Sequence, residues 1–169
     1  MKRLLVLWLF VTGPVYATSW AWMSAEQYLD SASLIAVVDV GTVHEAHTPE
    51  GIQVSSAKAE IVKTVFWQFT ESELPKSIVI YDVAPNAVVD ADGVAPNSHW
   101  NFTSGRFFVI LKMQGDMKFR PFDRLSLQPM KQANDKVMWP VAPDGTEETA
   151  LTSIEAQLKA ILEKRDRKK

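Results

Sequence analysis

The apolar positions fall into short β-type runs bracketed by two helical patterns. Ser24 with Gln27 three residues on forms a capping box, predicting a brief helix over Ala25 to Ser31 with Tyr28 and Leu29 as its apolar contacts. From Leu34 to Val43 the chain is rich in β-branched residues and reads as a first strand, closed by turn chemistry in Thr48-Pro49-Glu50-Gly51. The return run, Ile52 to Phe66, sets Ala57, Ala59 and Ile61 against Lys58 and Glu60, the period-2 pattern of a half-buried strand. These two strands are expected to pair as a hairpin.

Ser77 to Val83 reads as a third strand after a polar stretch containing Pro75. Ala84 to Ser104 is rich in Pro, Asn, Asp and Gly, and connections of that length inside a domain are often functional or mobile. Gly105 then introduces Arg106 to Leu111, a fourth strand expected to be buried on both faces. Further extended structure is expected around Arg124 to Gln128, held at an edge by Pro121 and Pro129, and over Val137 to Val141. Finally Thr152 and Glu155 read as a second capping box, and Ile154, Leu158, Ile161 and Leu162 recur on one face. This predicts an amphipathic helix from about Ser153 to Arg165, capped by Thr152. Successive strands flanked by helices that do not interleave them predict a mainly β fold, a curled antiparallel barrel of about five strands.

The N-terminus has a different logic. Met1-Lys2-Arg3, the apolar run Leu4 to Val11, a break at Thr12-Gly13-Pro14 and then Val15-Tyr16-Ala17 have the layout of a secretory signal peptide. Cleavage after Ala17 is expected, leaving Thr18 first and residues 18–169 as one domain. Losing these 17 of 169 residues leaves 152, and because Lys2 and Arg3 go with them the net charge moves from −2 to −4. The expected product is exported, periplasmic or secreted, with no integral membrane segment after cleavage.

Composition narrows the chemistry. The chain has 47% hydrophobic residues, 22% charged residues and no cysteine, which excludes disulfides, thiolate metal sites and cysteine nucleophiles. A mildly acidic chain is a poor nucleic-acid partner. Lys164, Arg165, Arg167, Lys168 and Lys169 concentrate positive charge at the C-terminus. They read as a solvated helix end complementing the dipole, or as a tail that touches anionic lipid or another protein.

The succession of a short helix, Leu34-Ile35-Ala36-Val37-Val38-Asp39-Val40-Gly41-Thr42-Val43, an Ala-rich return strand ending at Val65-Phe66, Ser77 to Val83 and Gly105 to Leu111 resembles exported bacterial proteins with a netrin or tissue-inhibitor-of-metalloproteinase-like OB fold. The resemblance covers about residues 25 to 130. It implies a five-stranded Greek-key barrel with helices packed against it, and a role in protein binding. The inhibitor branch depends on an N-terminal cysteine that sits on its target's zinc, whereas the expected mature chain begins Thr18-Ser19-Trp20.

Chemistry-bearing motifs are sparse. His44 and His47 are three apart at a strand end, not four apart on a helix as in zinc peptidases, and read as exposed residues of the hairpin. Asp90-Ala91-Asp92-Gly93 echoes part of a calcium loop, but Val88 and His99 fall where carboxylates are needed. The chain has no Gly-x-Ser-x-Gly elbow, no dinucleotide fingerprint and no phosphate loop. Asn101-Phe102-Thr103 fits a glycosylation sequon. Trp20, Trp22, Trp67, Trp100 and Trp139 stand out in a chain of this length. Trp67 reads as a strand-end plug, and Trp100 with His99 and Phe102 is the candidate binding cluster, suited to stacking on sugar or peptide. No cofactor and no metal are expected. The expected function is a non-enzymatic binding or interaction module for a protein or glycan of the cell envelope. A small envelope hydrolase and a protease-inhibitor-like protein lacking the N-terminal cysteine are the alternatives.

Overall fold

A computed structural model of the chain describes residues 23–47, 53–69, 73–83, 103–115, 118–121, 125–130, 136–142 and 145–168. The capping box at Ser24 and Gln27 forms in both directions and opens α1 (Ala25–Ser31), whose Tyr28 and Leu29 are buried. The chain then enters β1 (Leu34–His47), which runs four residues past the expected end at Val43 and pairs antiparallel with β2 (Gln53–Trp67). β3 (Ser77–Val83) pairs with β2, and β4 (Gly105–Gly115) returns to pair with β1. β5 (Lys118–Pro121) lies between β4 and β3 and closes a five-stranded barrel in the order β1-β2-β3-β5-β4-β1. The β3–β5 pair is parallel and the other four are antiparallel, the OB-like order. A positive φ of 112° at Gly115 serves the tight connection from β4 into β5.

The extended structure expected over Arg124 to Gln128 is narrower. β6 (Leu127–Pro129) adds to β4 beside Phe107 to Val109, on the side where β5 pairs further along β4. Pro129 sits at the sheet edge, where its missing N–H costs no ladder bond. Pro121 instead ends β5 inside the barrel wall, opposite Leu111.

Strand alternation divides the apolar residues into two cores. Leu34, Ala36, Val38 and Val40 of β1 meet Ala57, Ala59, Ile78, Ile80, Phe107, Val109, Leu111 and Phe119 inside the barrel. The intervening Ile35 and Val37, with Phe108 and Ile110 of β4, face outward beneath α1 and the C-terminal elements. Burial on both faces is why these two strands read as nearly unbroken apolar runs.

The outer layer holds a strand that the sequence pattern did not reveal. β7 (Lys136–Ala142) covers the expected Val137 to Val141 and pairs with β8 (Gly145–Ala150) as a separate hairpin. Gln128 docks it: its Nε2 donates to the Met138 and Leu125 carbonyls at 2.9 and 3.0 Å, while the Met138 N–H donates to its Oε1 at 2.7 Å. The side-chain amide thus supplies the hydrogen bonds that a neighbouring strand would. Fully buried Trp139 lies against Tyr28 and edge-on to Phe108, with its Nε1–H donating to Gln157 at 2.7 Å.

β8 leads directly into α2 (Leu151–Asp166), and this corrects the second expected cap. The N-cap is Ala150, without a side-chain cap bond, so Thr152 and Glu155 form no capping box. Glu155 instead reaches Lys63 of β2 at 2.7 Å. Ile154 and Leu158 are buried and Ile161 is partly so, but Leu162 is 37% exposed at the rim. Within the basic C-terminus, Arg165 is bound to Asp30 of α1 at 2.7 Å.

Candidate functional site

The geometry around β2 follows from its ladder with β1. Val38 faces Ile61 and Val37 faces Lys63, so Val62 is an extra residue; Ala36 faces Thr64 and Ile35 faces Phe66, so Val65 is another. Each bulge shifts the alternation by one. Ile61 therefore shares the barrel side with Val38, Lys63 turns outward toward α2, and Thr64 shares the barrel side again. A third irregularity sets Gly41-Thr42 opposite Lys58, where a side chain at Gly41 would bring its Cβ within 3.2 Å of the Lys58 carbonyl.

On its other side β2 is paired only in part. The β2–β3 register runs from Val54 opposite Val83 to Glu60 opposite Ser77, followed by one bond from the Ile61 N–H to the Lys76 carbonyl. Past that point the segment entering β3 leaves β2, opening a groove of about 600 Å³. Ile61, Val62, Thr64, Leu74 and Pro75 line its apolar part, and Lys58, Glu60, Lys76 and Ser77 its polar rim. Val62 is 50% exposed and Leu74 36%. Lys58, Glu60 and Lys76 have no ion-pair partner among the described residues. At the end of β2, Trp67 packs on Phe119 of the barrel interior and edge-on to Phe69, so it does plug the strand end.

Beside Glu60 on β1 lies Asp39, opposite Arg106 on its other flank. The guanidinium grips the carboxylate with two bonds, Nε to Oδ1 at 2.7 Å and Nη2 to Oδ2 at 2.8 Å. These hydrogen bonds hold the Asp39 carboxyl below its usual range, opposed by desolvation and aided by the charge of Arg106.

The candidate cluster His99, Trp100 and Phe102 lies outside the described residues, as do Asp90, Asp92 and the sequon at Asn101. His44 and His47 are exposed near the end of β1, in an unbroken ladder opposite Ser56 and Gln53, so their offset of three places them on opposite faces. Among the described residues no three His, Asp or Glu side chains gather in a way that would hold a metal, and no helix is long and apolar enough to cross a membrane. The groove residues Val62, Leu74 and Lys76 were not anticipated. Their one signal in the chain is the adjacent apolar pair Ile61-Val62, which interrupts the alternation of β2. No protein-family model matches the chain, and no curated protein matches it.

Proposed function

We propose that this protein is an exported, non-enzymatic binding module that engages a protein of the cell envelope through the outer surface of its barrel. The observation that carries this reading is the groove beside β2, where a half-exposed valine and a leucine about one third exposed are set among uncommitted charges. Water-exposed apolar side chains within a polar rim form the usual anatomy of a contact surface. The barrel interior is filled by its own apolar side chains, which directs recognition to the outside. The N-terminal pattern supports export, and the resemblance to netrin-like proteins favours a protein over a glycan as the partner.

The test is crosslinking and capture from the native envelope with the full chain, expressed with its own N-terminal segment. Purified protein should begin at Thr18. A discrete partner should be captured by the wild type and by the Trp100→Ala variant, and lost with Val62→Asp. Capture lost only with Trp100→Ala would move the site to the 84–104 connection, and no capture at all would overturn the reading.

A further inference from the structure

We propose that residues 62–66 of β2 form an open strand edge that accepts an extended acidic peptide segment of the partner by strand addition. The inference rests on the reading of the protein as a binding module and specifies the chemistry of what it binds. β2 has fifteen residues, and its ladder with β3 stops at Glu60. Among the described residues, none pairs with 62–66 on the side away from β1. Backbone donors and acceptors on such an edge are a template for another strand. Here the template opens into the groove, where Val62 and Leu74 offer an apolar seat for a side chain of the incoming segment.

Charge selects the occupant. Lys58 and Lys76 against Glu60 give the rim a net positive charge on a chain that is negative overall. A second copy would bring the same lysines to the same edge and be repelled, a common protection against self-association. Carboxylates flanking an apolar residue meet attraction instead. The bulges at Val62 and Val65 limit the regular edge to a few residues, so the added strand is short and the complex transient.

The probe is a fluorescent seven-residue peptide alternating valine and glutamate, titrated into the full-length protein at low salt and followed by anisotropy. Saturable binding is expected, weakened about tenfold by the surface double variant Lys58→Glu/Lys76→Glu. That variant should prefer the peptide with lysine in place of glutamate. A third peptide, of the original sequence with alternate backbone nitrogens methylated, keeps the charge but loses the donors, and it should not bind. Absence of saturable binding, equal binding of the methylated peptide, or indifference to the double variant would each overturn the proposal. If envelope capture survives Lys58→Glu/Lys76→Glu, the edge proposal falls while the binding reading stands. If instead the wild type captures no partner, both fall.

Discussion

The two halves of β2 belong to one continuous strand yet meet opposite fates. In residues 54–60 the chain is paired on both sides, takes the irregularity opposite Lys58 on β1 rather than on itself, and turns Ala57 and Ala59 into the barrel, where they are 1% and 0% exposed. In residues 61–67 it keeps β1 on one side, gains two bulges and leaves Val62 half in water. The first half contributes two small residues, Ala57 and Ala59, to the barrel core. The second carries large ones because Val65 and Phe66 pack outward on the core beneath the helices, while Ile61 and Trp67 pack on the barrel core. Among the described residues, the strand is thus paired on both sides along half its length and on the β1 side alone along the rest, with Val62 its most exposed apolar side chain.

One substitution placed in both halves breaks the comparison most sharply. Ala59→Asp buries an unpaired carboxylate and should cost about 4 kcal/mol. Val62→Asp, three residues on, should stay within about 0.5 kcal/mol. Urea midpoints of the two variants check this, and a large loss at Val62 would mean that the edge is covered. Trp67→Ala probes the end of the open half. The indole packs on Phe119 but is only partly buried, so a loss of about 2 kcal/mol is expected, below the range for fully buried tryptophan.

Smaller effects sharpen the picture on the outward face. Lys63 is directed toward Glu155 by the Val62 bulge, and the two side chains are 43% and 34% exposed. A double-mutant cycle on this pair should give about 0.5 kcal/mol, decreasing with added salt. Smallest is the contribution of Asp39, which neighbours Glu60 and is held by Arg106. Because its carboxyl titrates lower when folded, its stabilisation is complete above the unfolded pKa, about 3.9, and is lost as pH falls through the folded value. Replacing Arg106 by Gln should flatten that acid-side loss, by less than about 0.5 kcal/mol given the exposure of both groups.

The parts of the fold legible in the sequence are those fixed by local chemistry and unbroken alternation. Ser24 and Gln27 sit beside the helix that they cap, and β1 and β4 carry nearly unbroken apolar runs that mark strands buried on both faces. The misreadings share a different cause, since they depend on partners distant in the chain. Thr152-x-x-Glu155 has the spacing of a cap, but β8 feeds α2 without a break and draws Thr152 into the first turn. β8 itself is Gly-Thr-Glu-Glu-Thr-Ala, with Glu147 and Glu148 exposed, so no apolar alternation marks it. The candidate site follows the same rule. Whether Val62 and Val65 become bulges is decided by register against β1, and the groove by where β3 departs, so only the apolar steps at Ile61-Val62 and Val65-Phe66 that break the alternation are visible in advance.

Hydrogen exchange resolved along β2 tests the open edge most directly. In the free protein, amides in 62–66 that point away from β1 should exchange far faster than those in 54–60. Saturating valine–glutamate peptide should slow the 62–66 amides while leaving 54–60 unchanged. Equal protection of both halves in the free protein, or peptide-induced protection confined to another part of the surface, would contradict the account.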